Sequence, residues 1–176
     1  MNAATLPSAI LIIRHGEKPG DPSTDSPADG PDLSPRGYER AGALAPYVPA
    51  TFGAPDFLFA TQASAHSNRP VETITPLSLA LKLEINSDYA DGDYATLASK
   101  LLADGTYAGK LVLICWHHGN IPGLTQALGG TPPVQKWPGT VFDRVWQLNY
   151  PPGQTADESL PVNNLAQKLL YGDDSV

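Results

Sequence analysis

The chain has 176 residues, 41% of them hydrophobic, enough for one domain with a sizeable core and too short for two ordinary ones. A formal net charge of −7 argues against a broad nucleic-acid or anionic-membrane surface, because those partners call for a spread of Lys and Arg. The one cysteine, Cys115, rules out an intrachain disulfide, and the lack of a basic leader at Met1–Pro7 or of ~18 consecutive apolar residues makes the cytoplasm the expected location.

Ala9 to Ile13 is wholly apolar and reads as a buried central strand, and the run ends abruptly in Arg14-His15-Gly16-Glu17. Ligands of open α/β sheets bind just beyond the carboxyl ends of such strands, so the charged pair stands where chemistry is expected. Lys18 to Asp32 holds Pro, Gly, Asp and Ser with almost no apolar residues, which makes it a loop: either a solvated excursion or a flap over the site. Ser34 before Pro35 is a natural N-cap, and a helix is predicted from Pro35 to Tyr47. Asp56 to Ala60 is a short second strand. Ser67 to Leu83 carries Val71, Ile74, Leu77 and Leu81 in helical spacing, with Pro76 as a candidate kink.

Leu83 to Asn86 reads as a third strand, and Asp93 to Ala103 as an amphipathic helix with Leu97, Leu101 and Leu102 inward. Lys110 to Cys115 is the fourth strand, and it too runs into a polar pair and a glycine, His117-His118-Gly119. Two strands thereby deliver a His-Gly pair to one sheet edge. Gly119 to Leu128 is a helix, Val141 to Leu148 alternates with the period of a strand, and Leu165 to Tyr171 is either an edge strand or a last helical turn. Alternating strands and helices predict an α/β, three-layer αβα sandwich with a mostly parallel central sheet, in a single domain over 1–176 without internal repeats.

RHGE after the first strand, LSPRGYERA on the next helix, the arginine of SNRPVET and HHGNI after a late strand, in this order, resemble the histidine phosphatase superfamily, also called phosphoglycerate mutase-like. The likeness spans about residues 8 to 128, with Trp146 to Asp173 following the closing strands more loosely. It implies that His15 attacks phosphorus and becomes phosphohistidine, which water then hydrolyses, with no cofactor and no metal. Arg14 and Arg69 would bind phosphoryl oxygens, a task suited to the planar guanidinium fork, although surface ion pairing is the plain alternative for both. His118 matches the second histidine of the family. His117, one residue off, is expected to point elsewhere and to be structural.

Gly16 and Gly119 would let the backbone turn and approach the phosphate, although ordinary turn chemistry accounts for such glycines as well. Glu17 is ambiguous; Lys18 is either a rim cation or an exposed loop lysine, the latter being the commoner case. His66 falls on no motif. The resemblance implies a general acid from the segment after the third strand, which here offers Asp88, Asp91 and Asp93 but no glutamate, while Gly119 stands where another branch of the family has its acid. Asp93 suits a helix cap, so Asp91 is favoured, with Asp88 and Asp93 as the alternatives.

The resemblance implies a metal-independent phosphatase acting on a phosphorylated small molecule. A local cluster of arginines and histidines permits this in an acidic protein. A protein phosphohistidine phosphatase, a phosphoglycerate-type mutase and a non-catalytic phosphate-binding domain are the alternatives. Neither nucleic acid nor membrane is expected as a partner, and the sequence has no readable code for oligomeric state.

Overall fold

A computed structural model describes residues 6–20, 30–155 and 158–173. The chain order is β1 (Ala9–Arg14), α1 (Pro35–Phe52), β2 (Phe57–Ala60), α2 (Arg69–Leu81), β3 (Ile85–Asn86), α3 (Tyr94–Ala103), β4 (Leu111–Trp116), α4 (Ile121–Ala127), β5 (Gly130–Thr131), β6 (Arg144–Asn149) and β7 (Leu160–Ala166). Among the described residues the strands form one sheet in the order β3-β2-β4-β1-β6-β7-β5. β1, β2, β3 and β4 are mutually parallel, and only β6 runs against its neighbours, antiparallel to both β1 and β7. The flap expected over Lys18–Asp32 falls mainly on residues 21–29, outside the described residues.

Each face of the sheet is covered by one helix pair. Leu11, Ile13, Leu113 and Cys115 pack with Leu44 and Val48 of α1 and Ile74 and Leu77 of α2. Ile10, Ile12, Ile114 and Trp116 pack on the other face with Leu97 and Leu101 of α3 and Ile121 and Leu124 of α4. The period-2 alternation of β1 and β4 thus feeds both faces, which is why Ile10 to Ile13 and Val112 to Trp116 are all apolar and fully buried. The fold is the expected three-layer αβα sandwich. Burial pushes the Cys115 thiol up, so it behaves as an apolar core group. Among the described residues no helix is long and apolar enough to cross a membrane.

Several boundaries differ from the sequence reading. Helix α1 runs through Pro46, passes Tyr47 and continues through Pro49 to Phe52, where Gly53 ends it with φ 93°. Each proline removes an amide donor, yet Leu44 and Val48 are buried against the sheet, and that tertiary burial outweighs the local loss. Val141 to Asp143 lie outside β6, because the Val141 carbonyl accepts the Trp137 indole at 2.8 Å and the Arg14 guanidinium at 3.0 Å instead of joining the sheet ladder. Leu165 and Ala166 close β7, whereas 167–171 are neither strand nor helix.

Candidate active site

The site is assembled at the carboxyl edge of β1 and β4. Parallel pairing sets Arg14 opposite Trp116, and the His15 amide donates to the Trp116 carbonyl at 3.2 Å. His15, the residue past β1, is completely buried. Its Nδ1 lies 2.7 Å from the carbonyl oxygen of Gly16. A carbonyl can only accept, so Nδ1 carries the proton and Nε2 carries the lone pair.

Arg14, also fully buried, donates through Nη1 to the carbonyls of Gly139 at 2.6 Å and Val141 at 3.0 Å. Its guanidinium carbon sits 3.7 Å over the ring of Phe142, whose centroid is 6.1 Å from that of His15. The 139–142 segment therefore sets the direction of the arginine and places an aromatic face near the imidazole. Arg69 opens α2 in full burial and donates to the Gly30 carbonyl at 2.7 Å. Thr73, one turn on, ties this helix to the turn after His15: its hydroxyl donates to the Arg69 carbonyl at 2.7 Å and accepts the Gly16 amide at 2.8 Å.

His117 does not point away. Its ring lies 5.1 Å from that of His15, edge on at 68°. His118 follows it, half-buried with an enclosed Nδ1. Asp91, in the turn just before α3, meets the same β4–α4 corner. Its carboxylate Oδ2 accepts the Asn120 amide at 2.8 Å, and its carbonyl accepts the Trp116 indole at 3.2 Å. Asp88 and Asp93 are exposed, and the Asp93 side chain makes no cap hydrogen bond. Lys18 is only 5% exposed, so it is a buried cation and not the exposed loop lysine. His66 is exposed.

The two glycines of these turns differ in what surrounds them. A β-carbon on Gly16 would lie 2.9 Å from the Gly37 carbonyl oxygen, so this glycine is required by the close approach of α1. Gly119 is exposed, its φ is not left-handed and a β-carbon there would meet nothing within 4 Å, so neither strain nor packing demands a glycine. Among the described residues no group of three or more His, Cys, Asp or Glu is arranged to hold a metal ion.

The sequence reading did not single out Arg40. This residue is 1% exposed inside α1 and bonds the carboxylates of Glu17 (2.7 Å) and Asp173 (2.6 Å) and the amide oxygen of Gln167 (2.9 Å). Burial alone would push the guanidinium down, but the bonds to Asp173 and Glu17 more than reverse this and keep it charged. Arg36 adds a second bond to Glu17 at 3.2 Å. A signal for Arg40 was present: it falls on the helical stripe of Gly37, Ala41, Leu44 and Val48, where a charge needs a partner.

No protein-family model matches this chain, and no curated protein does. The structure does match solved ones. It is similar to mycobacterial glucosyl-3-phosphoglycerate phosphatase, at 16% identity and TM-score 0.56 over 91% of this chain and 98% of that one. It is similar to phosphoglycerate mutase from Plasmodium falciparum, at 13% identity and TM-score 0.56 over 96% of each chain. The protein histidine phosphatase SixA, solved with tungstate, aligns at 13% identity and TM-score 0.55 over 90% of this chain and 97% of that one. At identities this low the structural likeness shows a common fold and nothing finer.

Proposed function

We propose that this chain, which has the fold of the histidine phosphatase superfamily, is a phosphatase that hydrolyses a phosphomonoester through a phosphohistidine on His15. The observation that carries the reading is the imidazole of His15, held with Nδ1 on the Gly16 carbonyl at 2.7 Å, the tautomer that puts the ring lone pair on Nε2, next to the buried Arg14 and at one sheet edge with His118. In the first step Nε2 attacks phosphorus while the bond from phosphorus to the leaving oxygen breaks. Arg14, Arg69 and His118 stabilise the charge on the phosphoryl oxygens, and no metal is needed for that task.

Asp91 supplies the proton that the leaving oxygen takes. Because Asn120 donates to Oδ2, the carboxylic proton sits on Oδ1. In the second step Asp91 accepts a proton from water as the water oxygen attacks phosphorus, the P–N bond breaks and phosphate leaves. The substrate is a phosphorylated small molecule, met in the cytoplasm. The test is hydrolysis of a chromogenic aryl phosphate with and without a chelator, followed by acid quench. Turnover that survives chelation and a label that is acid-labile and alkali-stable are expected. Absence of hydrolysis from every phosphorylated metabolite, phosphohistidine protein and aryl phosphate offered would leave a phosphate-binding domain in its place.

A further inference from the structure

We infer that Arg40 is a positioning residue for this reaction, holding the His15 imidazole and the Arg14 guanidinium in register from inside α1; the inference rests on His15 being the nucleophile. All five of its N–H groups are spent within the chain. Nε donates to the Glu17 carboxylate at 3.0 Å, Nη1 to Gln167 at 2.9 Å and Asp173 at 3.0 Å, and Nη2 to Glu17 at 2.7 Å and Asp173 at 2.6 Å. No donor is left for a phosphoryl oxygen, so Arg40 acts through what it holds.

It holds two things. The first is the peptide plane that fixes the nucleophile's tautomer. The Gly16 carbonyl, which accepts His15 Nδ1, shares its peptide group with the Glu17 amide, so the orientation of Glu17 sets the direction of that carbonyl. Glu17 is clamped by Arg40 at its carboxylate and by the Ser34 amide (2.9 Å) and hydroxyl (3.0 Å) at its own carbonyl. The second is the segment that aims Arg14. Gln167, whose amide oxygen Arg40 binds, donates its backbone N–H to the Asp143 carbonyl at 2.8 Å and its side-chain amide to the Arg144 carbonyl at 3.1 Å. Those residues directly follow Val141 and Phe142, which carry the Arg14 contacts. One buried guanidinium thereby connects the supports of both groups, and a lysine, with three donors and no planar fork, cannot make the same set.

Two variants test this by kinetics and by 15N NMR of the histidine ring. Wild type is expected to show His15 in the Nδ1–H form. In Arg40→Lys, kcat for an aryl phosphate is expected to fall about tenfold or more, as for a small displacement of a reacting group, with a mixture of ring tautomers at His15. Glu17→Gln keeps an oxygen for Arg40 but removes the charge, and it should move both readouts in the same direction by less; it decides the matter if Arg40→Lys does not fold. Lowered melting temperature with wild-type kcat and an unchanged tautomer in the folded variants would make Arg40 a purely structural ion and overturn the inference. Were wild type inactive on all phosphates, the phosphatase reading would fall, while the tautomer shift would still decide whether Arg40 orients His15.

Discussion

A methyl group at position 37 would put its carbon 2.2 Å from the Glu17 carbonyl oxygen and 3.1 Å from Leu33 Cβ. Neither backbone nor a Cβ can swing aside, so Gly37→Ala must displace the turn after His15. It is expected to lower stability by about 1–3 kcal/mol, as overpacking does, and to lower kcat with it, measured by urea unfolding and aryl phosphate turnover. Asp91→Asn, by contrast, should leave stability nearly unchanged while slowing alkyl phosphates strongly and aryl phosphates little, because a phenolate leaves with less protonation. Equal loss on both substrates would remove the acid role. At this scale the reading of His117 failed for an identifiable reason. Which residue past the end of β4 faces His15 depends on the strand register, Arg14 opposite Trp116, and register between distant strands is not written locally in either one. Lys18 failed likewise, since a lysine among loop residues gives no sign that tertiary packing will bury it.

At the scale of elements, the segment after β7 is tied to α1. Asp173 accepts from Arg40 and from the amides of Leu169 (2.9 Å) and Leu170 (3.1 Å). Burial alone would raise its pKa, but those bonds outweigh it and hold the carboxyl at about 2. A depressed folded-state pKa contributes stability that is fully present above the unfolded carboxylate range and is lost as pH falls toward the folded value. The wild type is therefore expected to lose stability on acidification from about pH 4 to about 2, and Asp173→Asn to be less stable at neutral pH with a flatter profile over that window, measured by thermal unfolding against pH. The helix start at Ser34 was legible, because a capping serine before proline needs only local chemistry. The end of α1 was not: Pro49 reads as a breaker, and burial of Leu44 and Val48 on the sheet carries the helix past it to Phe52. Val141 to Asp143 misread as strand for a similar reason, their alternation being local and one of the two side chains that claim the Val141 carbonyl, that of Arg14, distant in the chain.

For the molecule as a whole, the alternation of apolar runs with helical stretches was sufficient for the αβα architecture, since a strand with no polar position must be covered on both faces. Ile12 has no exposed surface and packs in the α3/α4 layer. Ile12→Ala is expected to cost about 2–5 kcal/mol in urea unfolding without changing the ring tautomer of His15. The placement of β6 was the least legible part of the architecture, because reversing one strand between two parallel ones leaves no mark on its own residues.

That placement bears on how the protein is made. β1 pairs with β4 on one side, but its other side is closed only by β6, with Ile12 set against Trp146. As the chain emerges amino end first, this apolar strand keeps a bare row of amides and carbonyls along one side until residues 144–149 arrive, an edge of the kind that recruits other chains. Pairings between such distant segments are slow to form. A nascent chain stalled before β6 would hold the complete His15 and His118 motifs, yet it would be inactive and sticky, and catalytic competence would come only with the late strands.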